Sequence, residues 1–176
     1  MSIEAILAAI PKMDPTRRAT VRANAEAKLS HPSAGGDARR VIDALDAQIE
    51  LEAGVLSEHV SGLPVAERVI EAFTHQSMSE TERRIIQVLL DNPGLSSEGL
   101  SQKLGWGAQS WHMHFGEMCK KREARLWPAD NAVVRNAAFF SGILAEWSEV
   151  GGWNMKPDVA EALSALGLKA KGPGPR

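Results

Sequence analysis

Residues 95–118 constrain the fold of this chain more than any other segment. They place a short apolar helix, a turn marked by Gly105 and Gly107, and a second amphipathic helix directly after one another. In such a pair the first helix supports the inner side of the second and leaves the outer side of the second available for contact with a partner. The segment therefore predicts a domain of short helices in which the outer side of one helix is exposed to a partner.

The aromatic residues divide the chain into two parts. All five Trp and all four Phe lie between Phe73 and Trp153, whereas the earlier residues are aliphatic or charged. Since aromatic side chains supply large areas of buried surface, the main core should lie in the C-terminal part. A chain of 176 residues is long enough for such a domain and a helical appendage.

The N-terminal 62 residues are predicted to form three helices. The first runs over 3–10, the second from the capping Asp14 and Pro15 to about Leu29, and the third begins near Asp37 after the loop 31–36. The third helix carries a one-sided apolar stripe, which either docks on the helix over 14–29 or pairs with a second copy in a homodimer. The stripe residues are Val41, Leu45, Ile49, Ala53, Leu56 and Val60.

A second group of helices follows the Gly62–Leu63–Pro64 boundary. Pro64 opens one helix, and a capping box formed by Ser79 and Glu82 opens the next, which is strongly apolar over 85–90. Asn92–Pro93–Gly94 ends that helix just before the helix pair of 95–118.

The second helix of this pair has two distinct sides. Trp111, Phe115 and Met118 recur at spacings of four and three, which places them on the inner side. The opposite side is polar or small, as expected of a surface that enters a groove, and collects Gln109, His112, Met113, Gly116 and Lys120.

A β-hairpin is predicted after this helix. Residues 143–148 and 152–156 are strand-like and flank Gly151–Gly152, which is a hairpin signal. Pro157 then opens a last helix through Val159, Leu163 and Leu166, and the Gly- and Pro-rich residues 169–176 are predicted to be disordered.

Residues 64–168 resemble the winged helix-turn-helix superfamily. The resemblance lies in Leu100–Gly105, which reads LSQKLG, in the inner positions of the following helix, and in the hairpin that would form the wing. Together with the N-terminal helices, it predicts a mainly α fold. The N-terminal helical segment (1–62) would carry the dimerisation role that its apolar stripe offers, and a winged helix-turn-helix domain (63–168) with a small hairpin and a tail (169–176) would follow.

The resemblance also implies double-stranded DNA as a partner and a role as a transcriptional regulator, which would bind DNA with a recognition helix at about 108–122 and with the β-hairpin wing. In that role Gln109, His112 and Lys120 would contact base edges. The basic cluster at the end of the helix would neutralise phosphates, and it consists of Lys120, Lys121, Arg122 and Arg125. The same cluster could instead complement the negative end of the helix dipole. The candidate DNA-binding residues are Gln109, Ser110, His112, Met113, Gly116, Lys120, Lys121, Arg122 and Arg125.

Other functions lack a sequence signal. No nucleotide-binding or nucleophile motif occurs. His112 and His114 point about 200° apart on a helix, with His114 expected to line the supporting side and His112 to face solvent or DNA. Neither a catalytic site, a cofactor nor a metal is therefore predicted. The lone Cys119, the lack of a leader and the lack of a long apolar run favour a cytoplasmic protein without a membrane span. The alternative function is a winged-helix module that binds a protein and no nucleic acid, which the four basic and four acidic residues of 136–176 favour.

Overall fold

The computed structural model describes residues 2–132, 136–149 and 151–171. The fold is mainly helical with one small antiparallel hairpin, which confirms the coarse prediction from the sequence. The chain divides into two compact units, Met1–Leu56 and Ser57–Arg176, and each has its own hydrophobic core.

The first unit is built from α1 (Ile3–Ala9), a 3-10 turn (Ile10–Lys12), α2 (Pro15–Glu26) and most of α3 (Gly35–Ser61). The side chain of Asp14 accepts from the Arg17 amide and caps α2, as its position before Pro15 predicts. α2 and α3 are joined by an ion pair between Arg18 and Glu52 at 2.6 Å. The core of this unit consists of Ile10, Met13, Ala25, Ala38, Val41, Ile42 and Leu45.

The apolar stripe predicted on α3 is only partly used in this core. Val41 and Leu45 are buried beside Ala25 of α2, which agrees with docking on the chain's own helices. Ile49 is half exposed and Ala53 is exposed, so the stripe does not remain covered along its whole length.

The second unit holds the remaining elements around a core that contains the large aromatic residues. It comprises the end of α3, then α4 (Val65–His75), α5 (Glu80–Asp91), α6 (Ser97–Lys103), α7 (Ser110–Lys120), α8 (Ser141–Leu144), β1 (Ala145–Ser148), β2 (Gly152–Met155) and α9 (Pro157–Ala165). The capping box predicted at Ser79 and Glu82 is present, with both reciprocal hydrogen bonds formed. Among the largest side chains buried in this unit are Trp111 and Phe115.

The hairpin is tied to the segment between α5 and α6. β1 and β2 pair with Trp147 opposite Trp153, and Leu95 forms a further bridge to Trp153. The Gly94 amide donates to the Trp153 carbonyl at 2.8 Å, and a Cβ on Gly152 would overlap the Gly94 carbonyl oxygen. Gly152 is therefore required for the close approach of the two backbones.

Two boundaries differ from the sequence prediction. Residues 143–144 belong to α8, so the first strand begins only at Ala145, and Val150 in the predicted turn lies outside the described residues. Part of the predicted disordered tail is ordered: the Lys169 carbonyl accepts from Gln87, and the Lys171 amide donates to Asp91. The rest of that tail, residues 172–176, lies outside the described residues.

Candidate nucleic-acid interface

The start of α7 is fixed by hydrogen bonds from α6 and α5. The buried Ser101 hydroxyl donates to the Ser97 carbonyl at 2.8 Å and accepts from the Trp111 amide at 3.0 Å. The Trp111 indole donates to the Ile85 carbonyl at 3.0 Å. Gly105, at φ +74°, makes the turn between α6 and α7 in a backbone conformation that glycine adopts without strain. These contacts fix the position and rotation of α7.

The inner side of α7 agrees with the sequence prediction. Trp111, Phe115 and Met118 are buried, and the Trp111 and Phe115 rings stack with centroids 4.8 Å apart. A 3.6-residue period then leaves the positions between them on the outside. We define the α7 outer face as Gln109, Met113, Glu117 and Lys120, which lie on the side opposite Trp111 and are all exposed.

The two histidines of α7 occupy the opposite environments from those predicted. His112, predicted to face solvent or DNA, is half buried, with its ring centroid 5.0 Å from that of Trp153. His114, predicted to line the supporting side, is exposed and packs on Trp106 at 5.0 Å. The reason is the hairpin, which places Trp153 against the side of α7 that carries His112.

Gly116 and Ser110 also make contacts within the chain. A Cβ on Gly116 would lie 3.4 Å from the Ser141 hydroxyl oxygen, so this half-buried position faces α8, in contrast to the groove-facing position expected. The Ser110 hydroxyl donates to the Gly107 carbonyl at 2.6 Å, across the turn that precedes the helix. Of the residues that the sequence placed on the outer side of this helix, Gln109, Met113 and Lys120 are exposed.

Arg122 was predicted to contact phosphate, but the structure buries it. It is 2% exposed, it lies over the Phe73 ring at 4.5 Å, and it binds both carboxylate oxygens of Glu82 at 3.0 and 3.2 Å. It also donates to the backbone carbonyls of Gln76, Ser77 and Met118. With its donors satisfied inside the domain, Arg122 is unavailable to nucleic acid.

The pKa of the Glu82 carboxyl reflects the same buried pair. Burial alone would raise it, but hydrogen bonds from Arg122 and from the Ser79 amide outweigh burial and lower it below its ordinary value. The Arg122–Glu82 pair is therefore an ion pair that joins the start of α5 to the residues after α7.

The remaining three members of the basic cluster differ in exposure. The Arg125 guanidinium is partly buried and binds the Glu71 carboxylate at 2.8 Å, which the His59 imidazole also contacts at 2.8 Å. Hydrogen bonds from His59 and then Arg125 lower the pKa of Glu71. Lys120 and Lys121 are exposed, so these two residues of the cluster are the ones available to contact phosphate.

The hairpin adds one exposed aromatic residue that the sequence analysis did not single out. Trp147 is 52% exposed and packs edge-on against Trp153, with exposed Glu146 and Glu149 next to it. Strand alternation would not have singled it out, because Trp147 lies two positions after the buried Ala145 and so falls on the same face of the strand. The strand is also only four residues long, which makes its alternation a weak signal.

The described residues contain no group of three or more His, Cys, Asp or Glu placed to hold a metal ion. Cys119 is buried, and burial raises the pKa of its thiol, so the thiol stays protonated. Within the described parts of the chain, no helix is both long and apolar enough to span a bilayer.

No protein-family model, curated protein or solved structure matches this chain.

Proposed function

We propose that residues 63–168 form a winged helix-turn-helix domain that binds double-stranded DNA through the α7 outer face. The observation that carries this proposal is the two-sidedness of α7. Its inner side is locked by Trp111 and Phe115, while Met113 at the centre of its outer face is 67% exposed. The bridge between Leu95 and Trp153 holds the hairpin next to the start of α6, which supports a compact unit of α5, α6, α7 and a wing. If the domain binds DNA in this way, its proposed role is transcriptional control by a cytoplasmic protein.

The outer face offers the chemical groups that read base edges. The Gln109 amide can bond bidentately to adenine, the Met113 side chain can contact a thymine methyl, and the Glu117 carboxylate can accept from the cytosine amino group. Lys120 and Lys121 then supply the phosphate contacts. Each group comes from an exposed position, so none requires a change in the core.

The hairpin has a different role in this proposal from the one the resemblance implies. Glu146 and Glu149 are exposed on and beside β1, and carboxylates close to phosphates would repel them. We therefore assign the phosphate contacts to the end of α7, and assign the hairpin to the positioning of α7 through Trp153.

The test compares four variants that each remove one positive charge. Binding of a mixed-sequence duplex is measured against salt concentration for Lys120→Ala and Lys121→Ala. Arg125→Ala, in the same cluster but bound to Glu71, and Arg17→Ala on α2 serve as controls. The Lys variants should flatten the slope of log affinity against log salt by about one, because one fewer counterion is released. The two Arg variants should leave the slope unchanged.

Two results would overturn the proposal. One is the absence of duplex binding at about 50 mM salt, where phosphate contacts are strong. The other is an equal change of slope in all four variants, since that would report net charge alone. Circular dichroism of each variant confirms that it is folded.

A second candidate function is binding of a protein through the same surface. It is favoured by the exposure of Met113 and Trp147, because large apolar side chains on a surface mark contact sites for other proteins. It predicts that the wild-type protein does not bind duplex DNA in the same titration, so the salt series distinguishes the two functions.

A further inference from the structure

The first unit contains a cavity that is lined by α1, α2, the start of α3 and the loop between α2 and α3. Its volume of about 520 Å³ lies in the range of about 300–1,000 Å³ that is typical of pockets for small molecules. All of its lining residues lie between Ile3 and Val41, within the first unit. The cavity therefore shares no residue with the α7 outer face, and its use does not depend on the proposed DNA binding.

The walls of the cavity are aliphatic. Ala25, Ala38 and Val41 are buried, and Ile6 and Val21 are among the half-buried side chains that complete the walls. Among the described residues that line it, none carries an aromatic ring or a hydroxyl group. A nucleobase would find no ring to stack on, and a sugar would find few hydrogen-bond partners. Walls of this kind favour an aliphatic chain, because its burial removes apolar surface from water.

Three polar side chains complete the lining, and because they are exposed they lie at the opening of the cavity: Asn24, Lys28 and Asp37. The Asp37 carboxylate is 3.5 Å from the Arg40 guanidinium, so its charge already has a partner within the chain. The Lys28 ammonium and the Asn24 amide have no hydrogen-bond or ion-pair partner in the part of the chain that the structure describes. The charge that is left without a partner at the opening is therefore positive.

We propose that this cavity binds an aliphatic carboxylate, with the chain between the helices and the carboxylate at Lys28 and Asn24. Each methylene group that leaves water strengthens binding by roughly fourfold, so the chain supplies the affinity. The head group is selected by the Lys28 ammonium, because a hydrogen bond between two charged groups is stronger than one between neutral groups. An aliphatic amine would instead place a like charge beside Lys28.

The first test is calorimetric titration of the full chain with octanoate and with octanol, which has the same chain length but an uncharged head. The wild type should bind octanoate with a Kd below about 1 mM and octanol at least about fivefold more weakly. Lys28→Ala should weaken octanoate binding by about fivefold or more and thereby lose the preference for octanoate. Lys12→Ala is the matched control, since Lys12 is exposed in the same unit but does not line the cavity, and it should keep that preference.

The second test fills the cavity. Ala34 is a half-buried lining residue, so Ala34→Leu should occupy part of the volume and weaken octanoate binding by about fivefold or more. Ala47→Leu makes the same change at an exposed position on α3 outside the cavity and should have no effect. Circular dichroism confirms that each variant is folded, and amide chemical shifts on addition of octanoate should change mainly within residues 3–41.

Four results would overturn the proposal. They are the absence of octanoate binding at millimolar concentrations, equal affinity of the wild type for octanol, an equal loss in Lys12→Ala and Lys28→Ala, and chemical-shift changes that fall mainly on residues 57–171. Duplex DNA is absent from both tests, so their outcome is independent of whether the second unit binds DNA.

Discussion

At the scale of single residues, Arg122 shows how a charged group can be mistaken for a surface contact. In the sequence it stands in a run of basic residues, and nothing local distinguishes it from Lys121. In the structure it is buried because the turn between α4 and α5 lies over it and supplies the carbonyls of Gln76 and Ser77. The partners come from more than forty positions earlier, so the pattern around Arg122 could not predict them.

Removing Arg122 should strongly destabilise the protein. In Arg122→Ala the Glu82 carboxylate is left buried without its main partner, and such a loss costs about 3–5 kcal/mol of unfolding free energy. Lys121→Ala removes the same charge from an exposed neighbour and should cost no more than about 0.5 kcal/mol. Denaturant melts at neutral pH measure both, and equal losses would mean that the buried pair does not hold the domain together.

The Glu82 pair also predicts a dependence of stability on pH. Because the folded-state pKa of Glu82 is lowered, its ionised form contributes stability above the unfolded-state pKa, which is about 4.3, and this contribution is lost as the pH falls through the folded-state value. The stability difference between the wild type and Glu82→Gln should therefore be largest near pH 7 and shrink toward about pH 3. A difference that is constant over this range would contradict the assignment.

At the scale of elements, the sequence predicted most helix boundaries because the signals for them are local. Asp14 before Pro15 and the Ser79 capping box each act within one helical turn, and both are present as predicted. The residues on the inner side of α7 were also predictable, because Trp111 and Phe115 follow the helical period. The environment of His112 was not, because it depends on Trp153, which lies 41 positions later in the sequence.

The rotation of α7 makes a testable prediction. Phe115→Ala empties a fully buried position and should cost about 3–5 kcal/mol of unfolding free energy. His114→Ala, one residue earlier but exposed, should be close to neutral. The measurement is the midpoint shift in denaturant at constant slope, and a larger loss for His114→Ala would show that α7 is rotated from the orientation described.

At the scale of the whole molecule, the division suggested by the aromatic residues is reflected in two cores of different composition. The core of the first unit is aliphatic, whereas that of the second contains Trp111, Phe115 and Trp153. Composition could reveal this division because it is a property of long segments. Composition could not reveal which basic residues stay exposed, since Arg122 and Lys120 stand in the same basic run and only Lys120 is exposed.

In the proposed function, the α7 outer face is the surface that contacts DNA. Amide chemical shifts of the full-length ¹⁵N-labelled protein, titrated with a mixed-sequence duplex of about 20 base pairs, or two helical turns, test it most directly. We expect the largest changes in chemical shift at Gln109, Met113, Glu117 and Lys120. These changes should decrease as the salt concentration is raised, while the shifts of residues 2–56 should stay largely unchanged. Shifts confined to other surfaces, or none at about 50 mM salt, would contradict it.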